Sequence, residues 1–226
     1  KEKNPVFENA EAEFYIAKKD GFTVGRIAAM VNWVEIEEQK KNKLRFGWYD
    51  TIDDLEVSKK LLESVIEFGK KRKLEFVDGP VGFSNMDKAG LLIEGYEELN
   101  TMITWYHYPY QKEHLKKLGF SKLAEWVEYK IKIFSAEDAP EKVKKFSKII
   151  QQRYELKVLN FKSRKEIIPY VDKMFELLNV TYSNLQTYVT IKQYQIDFYK
   201  EKFIKYIHPD FIKCCLDKDD NLIAFL

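Results

Sequence analysis

Long apolar runs are missing from this chain. No stretch of its 226 residues approaches the roughly 18 consecutive apolar positions that a membrane-spanning helix requires, and the opening KEKNPVFENA lacks the apolar core of a secretory signal. The expectation is a cytoplasmic protein with no membrane partner. Cysteine is almost absent. Cys214 and Cys215 are neighbours in an apparent strand, where successive side chains take opposite faces, so the pair is suited neither to a structural disulfide nor to a shared metal. They read as reduced thiols.

An excess of one charge is missing as well. The 38 Lys and Arg against 36 Asp and Glu leave a formal charge of +2, so no whole-molecule field favours nucleic acid. Clusters at Lys70 to Lys73, Lys116 to Lys117 and Lys144 to Lys145 read as solvated helix faces or dipole partners. There is no Gly-Lys-Ser/Thr triplet, and with it goes a nucleotide P-loop. His107 and His114 are seven residues apart, but Pro109 separates them from a common helix face and two ligands are too few, so no metal is expected. The run YHYPY at 106–110 has no adjoining basic groove and reads as packing or as the wall of a ligand cleft.

What is present is core material. With 45% hydrophobic and 15% aromatic residues, the chain suffices for one large or two small domains. Residues 13–31 hold two apolar runs around Lys19-Asp20-Gly21, a hairpin signature, and LRFGWY at 44–49 reads as a third strand. From Asp54 to Lys73, apolar residues recur at three and four, acids lead and Lys70 to Lys73 close, which predicts a helix. LEFVDGP at 74–80 follows as a buried strand, and strand, helix, strand favours parallel pairing.

After a glycine-punctuated connection over 81–100, Pro109 opens a helix that Gly119 ends. Alternation through Val127, Tyr129, Ile131 and Ile133 predicts a long strand from Phe120 to Phe134, and SAEDAPEK at 135–142 reads as a linker. Beyond it the pattern predicts a basic amphipathic helix (141–152), a strand (155–161) and a helix to Tyr182 with Val171, Met174, Phe175 and Leu178 on one face. Thr190-x-x-Gln193 is a candidate capping box for a helix reaching Ile207, and a second hairpin closes at 211–226.

This order of elements resembles the GNAT acyltransferase superfamily. The resemblance is carried by LLESVIEFGKKRKLEFV, beginning at Leu61-Leu62, and by EHLKKLGF at 113–120. It implies an α+β fold with a mixed, mostly antiparallel central sheet flanked by helices. Residues 1–134 would be one such unit lacking its opening strand and helices, 135–154 a linker and helix, and 155–226 the start of a second unit, incomplete because the chain stops inside a strand at Ala224-Phe225-Leu226. An apolar edge left open would pair with another chain, so a homo-oligomer is among the expectations.

The function that the resemblance implies is acyl transfer from acetyl-CoA or another acyl-CoA to a small-molecule or peptide amine. Trp48 and Tyr49 would supply an oxyanion donor from the strand backbone, and the loop at Asp53, Asp54, Glu56 and Ser58 would face the cofactor's pyrophosphate. In place of the family's Arg and glycines, this loop has Asp53, Glu56 and Ser58. Acids there repel a pyrophosphate, or simply cap a helix, as Asp53 or Asp54 is suited to do. Leu115 stands where the family has its acid tyrosine, leaving Tyr110, one turn earlier, as candidate proton donor or as packing. Glu94 is a candidate base for the amine, with a solvated loop carboxylate as the plainer reading, as for Glu98. The alternative is a non-catalytic module of the same fold that binds another ligand or a protein.

Overall fold

The computed structural model describes residues 4–84, 86–132, 135, 137–185 and 187–226. They fall into two compact units, Lys1–Glu128 with Gln186–Val189, and Tyr129–Leu185 with Thr190–Leu226. The fold is α+β, with a four-stranded mixed sheet in the first unit and a three-stranded antiparallel sheet in the second, both flanked by helices.

In the first unit β1 (Ala10–Lys19) turns into β2 (Phe22–Asn32) through Asp20 at φ 51° and Gly21 at φ 83°. Those are the positive dihedrals that a two-residue hairpin turn needs. A short helix α1 (Trp33–Glu37), capped by the Asn32 side chain, leads to β3 (Lys43–Thr51), antiparallel to β2. Helix α2 (Leu55–Lys71) then crosses to β4 (Phe76–Asp78), which pairs parallel with β3. The three-and-four spacing of Val57, Leu61, Leu62, Val65 and Phe68 gives α2 one apolar face, buried against Ile27, Ala29, Val31, Leu44 and Phe46. On the opposite sheet face, Ala10, Ala12 and Ala28 leave room for Val6 and Phe83 to pack closely.

Two features of β3 shape the site. Arg26 pairs with Asp50 but Ala28 with Gly47, so Trp48 and Tyr49 stand opposite the single Ile27, a β-bulge in which Trp48 adopts φ 46°. On its other side β3 pairs with β4 only from Lys43 to Arg45, followed by a hydrogen bond from Val81 N–H to Phe46 O at 2.8 Å. The chain crosses so closely there that a Cβ on Gly47 would lie 2.2 Å from Val81 O. Past that crossing, among the described residues, no strand pairs with β3 on this side.

Four charged side chains are buried beside this crossing. Arg45 forks onto Glu35 at 2.6 and 2.7 Å, and Lys43 Nζ lies 3.0 Å from Glu35 and 2.9 Å from Asp78. Arg45 also donates to Gly82 O at 3.0 Å and to Thr187 O at 2.8 Å, which ties the sequence-distant segment 187–189, with its buried Tyr188 and Val189, into the first unit.

In the second unit, α4 (Glu141–Arg153) precedes β5 (Lys157–Asn160), α5 (Arg164–Thr181) and α6 (Gln193–Phe203), and the hairpin β6 (Lys213–Leu216) and β7 (Leu222–Phe225) completes the sheet in the order β5-β6-β7. Ile167, Val171 and Met174 of α5 pack on Cys214, Leu216 and Leu222. Cys214 is buried, which pushes its thiol pKa up, while Cys215 on the other face is partly exposed. No helix among the described residues is long and apolar enough to cross a membrane.

Two local expectations are corrected. Residues 120–132 form no strand, and Val127, Tyr129 and Ile131 are exposed; Ile133 and Phe134 lie outside the described residues. Alternation creates a strand only where an edge is offered for pairing, and here Phe120 packs on Phe46 while Glu128 is held by the hydroxyls of Thr101 and Thr104. The cap of α6 is also shifted by two residues. Lys192 is the N-cap residue, and Gln195 Oε1 accepts its N–H at 2.9 Å, so Gln193 lies inside the helix rather than closing a box with Thr190.

Candidate functional site

Where β3 and β4 part, an open recess of about 300 Å³ lies beside the bulge. Trp48, Tyr49 and Asp50 of β3, Arg26 of β2, and Lys88, Trp105, Tyr106, His107, Tyr108 and Gln111 line it. The aromatic wall is built by contacts along the chain. Trp105 packs on Trp48 at 5.9 Å, Tyr106 meets Tyr108 edge to face at 5.5 Å, and Tyr108 stacks on Tyr110 at 5.6 Å. Residues 106–108 of the YHYPY run thus line the recess, with Tyr110 stacked behind Tyr108. Positive charge comes from Lys88 and from Arg26, whose Nη2 lies 3.8 Å from Asp50 Oδ2.

His107 is buried, and its Nδ1 accepts from Leu92 N–H at 3.4 Å. Burial depresses its pKa below the ordinary 6.5. The sign follows directly. Between pH 6.5 and the lower folded value, the unfolded chain takes a proton that the folded chain refuses, so this group's stability is present above pH 6.5 and lost as pH falls. We expect urea unfolding between pH 7.5 and 5 to show a loss of up to about 1.4 kcal/mol per pH unit from this residue, which His107→Gln removes.

Helix α2 starts immediately after β3, and its first turn decides what the acidic loop does. Asp54 is the N-cap: its Oδ1 accepts from Glu56 N–H at 3.0 Å while Oδ2 accepts from Lys19 Nζ at 2.9 Å. The Lys19 hydrogen bond, followed by the backbone N–H groups, pulls the Asp54 pKa down. Its carboxylate therefore occupies an amide that an incoming anion would use. Asp53 and Glu56 point outward, with side chains 70% and 68% exposed.

Ser58 faces inward and is fully buried. Tyr49 donates its hydroxyl proton to Ser58 Oγ at 2.9 Å, Ser58 Oγ lies 2.8 Å from His114 Nδ1, and His114 Nε2 lies 3.1 Å from Asp53 Oδ1. With the imidazole proton on Nε2, every donor in this chain of four residues meets an acceptor. Burial pushes the Tyr49 pKa up to about 12. His114 is on α3 (Pro109–Lys117), whose buried positions Gln111, His114 and Leu115 follow the helical period. That spacing was the sequence signal that could have placed His114 inside.

Tyr110 also belongs to α3. Its hydroxyl donates to Thr51 O at 2.7 Å, its ring lies 5.4 Å from His114, and burial, then the charges of Asp50 and Asp53, raise its pKa. The structure thus brings Trp48, Tyr49, Ser58, Asp53 and Tyr110 around one end of β3. Glu94 is exposed in the 91–104 connection and is not part of the recess lining. Sequence reasoning missed Arg26, Lys88 and Trp105, which reach the recess only through strand register and the path of a long connection.

The class that fold and site define is an α+β protein with a polar, aromatic-walled recess where a bulged strand leaves its neighbour. No family model matches the chain. Among curated proteins it is 24% identical over 228 aligned positions to Protein YghO of Escherichia coli (strain K12), covering 99% of this chain and 56% of that protein. It is 25% identical over 129 positions to the bacterial ceramide synthase of Caulobacter vibrioides, covering 56% of this chain and 33% of that one. The chain spans about half of the first relative's length and a third of the second's. No solved structure matches.

Proposed function

We propose that the first unit is an acyl-CoA-dependent N-acyltransferase-like domain, with the thioester held in the recess beside β3. The observation that carries this reading is the parting of β3 from β4 after Phe46 combined with the bulge at Trp48 and Tyr49, the feature at which the GNAT resemblance places acyl transfer. Similarity to a ceramide synthase supports it, because ceramide is by definition an N-acylated amino alcohol and its synthesis forms an amide.

In this reading the amine nitrogen attacks the thioester carbon, and backbone N–H groups near Trp48 and Tyr49 stabilise the oxyanion. The C–S bond then breaks: the departing thiolate takes the proton of Tyr110, which stacks on Tyr108 of the recess wall and leaves Thr51 O for this step, and the nitrogen, on becoming an amide, returns its surplus proton to the Tyr110 phenolate. Asp53 and Glu56 face solvent, while Arg26 and Lys88 supply positive charge at the recess. The position of Glu94 gives no support to its role as base.

One observation favours the second reading, a non-catalytic binding module: the Asp54 carboxylate already fills the Glu56 amide at the α2 N-terminus. Calorimetric titration separates the two. We expect acetyl-CoA, CoA or a long-chain acyl-CoA to bind at micromolar strength at low salt, and Lys88→Glu to weaken binding about tenfold, as loss and reversal of a charge at a phosphate-binding rim does. No heat up to millimolar concentrations of any of the three leaves the binding module as the account of this unit.

A further inference from the structure

Helix α4 has a face that the fold leaves bare. None of its 13 residues, EKVKKFSKIIQQR, is buried. Yet Val143, Phe146, Ile149 and Ile150 recur at helical spacing, and Tyr154 at the C-cap extends the same stripe; all five are exposed, by 43–58%. At about 1.5 Å per residue this stripe runs roughly 20 Å. A solvated surface helix has no use for such a stripe.

The charges on α4 say what covers it. Lys142, Lys144, Lys145, Lys148 and Arg153 are set against Glu141 alone, a net charge of +4 on a chain whose total is +2. Lys142 and Arg153 fall beside the apolar stripe, with Lys142 Nζ 5.9 Å from the Phe146 ring and Arg153 5.5 Å from the Tyr154 ring. A second copy of the helix would bring another +4 against this face, so self-association places like charges together. An anionic lipid surface is complementary on both counts: acyl chains accept the apolar stripe while the long basic side chains reach up to phosphate.

We propose that α4 is an interfacial helix that docks this protein on the surface of a bilayer containing anionic lipid. The whole-chain charge balance hides this, because the acids lie elsewhere. The docking is peripheral, consistent with the absence of a membrane-spanning helix among the described residues, and stands independently of what the recess binds.

The test is co-sedimentation of the whole protein with phosphatidylcholine vesicles, with and without phosphatidylglycerol, at low and high salt. Wild type is expected to bind the anionic vesicles and to be released by salt. Lys142→Glu/Lys145→Glu/Lys148→Glu and, separately, Phe146→Ser/Ile150→Ser lower the partition coefficient roughly tenfold or more, since charge and buried apolar area both contribute. Lys59→Glu/Lys60→Glu/Lys71→Glu on α2, the same change in total charge, leaves binding in place. All altered side chains are exposed or nearly so, so circular dichroism is expected to stay at wild-type values, and melting to fall only modestly, most in the α2 control, where Lys59, Lys60 and Lys71 lose surface pairs with Glu56, Glu63 and Glu67. The proposal is overturned by failure to bind anionic vesicles, by unchanged binding in either α4 variant, or by equal loss in the α2 control. It is equally overturned if sedimentation velocity shows α4 holding two copies together in place of vesicle binding.

Discussion

Replacing Glu35 with alanine is expected to lower the unfolding free energy by about 3–5 kcal/mol, because it leaves buried cations without their shared anion. The Arg45 fork loses both carboxylate bonds and keeps only the carbonyls of Gly82 and Thr187, while Lys43 keeps only Asp78. A domain stable by about 5–15 kcal/mol would lose a large part of its margin. Urea denaturation measures it directly. Glu35→Gln, which retains an acceptor for Arg45 but not the charge, is expected to cost less. Because Arg45 also holds Thr187 O, hydrogen exchange at Thr187 to Val189 should rise in Glu35→Ala before global unfolding. A loss below 1 kcal/mol in Glu35→Ala would mean that water reaches these groups and that the network does not anchor the 187–189 segment.

Ser58→Ala is the second large effect, expected at about 2–4 kcal/mol, since it strands two buried partners at once. The Tyr49 hydroxyl loses its acceptor and His114 Nδ1 loses its donor. Tyr49→Phe alone should cost only about 1 kcal/mol, because Ser58 keeps its bond to His114. In the double variant the phenylalanine has no hydroxyl left to strand, so the two losses should sum to more than the double variant shows. Strict additivity in that cycle would contradict the hydrogen-bonded chain from Tyr49 to Asp53.

Much of the first unit was legible because its signals are local. Asp20-Gly21 carries its own turn geometry, Asp54 stands where a helix needs a cap, and the α2 spacing allows only one face inward. Strand, helix, strand then forced parallel pairing of β3 and β4. The failures were non-local. The strand expected over 120–134 had the alternation but, over its described residues, lacks a partner edge, a property of the surroundings that alternation cannot report. The same holds for Glu35 beneath Arg45, for Thr187 at the Arg45 guanidinium and for Ser58 against His114, pairs 10, 142 and 56 residues apart.

At the candidate site, sequence pointed to the strand end beside which the recess lies and to the loop that follows it, but not to the disposition of the acids. The loop residues read as one acidic obstacle part company: Asp54 turns back to cap its own helix, while Glu56 and Asp53 are both largely exposed, Asp53 with one oxygen on His114. The bulge at Trp48 was invisible, since neither Trp nor Tyr announces a positive φ.

The most direct test of the central claim, that the recess beside the β3 bulge holds an acyl thioester, is an amide and indole NMR titration of the protein with a long-chain acyl-CoA. The account predicts shifts concentrated at Trp48 to Thr51, at Lys88 and at Trp105 to Gln111, including the indole N–H of Trp48 and Trp105. Shifts confined to other parts of the chain, or none at millimolar ligand, would contradict it.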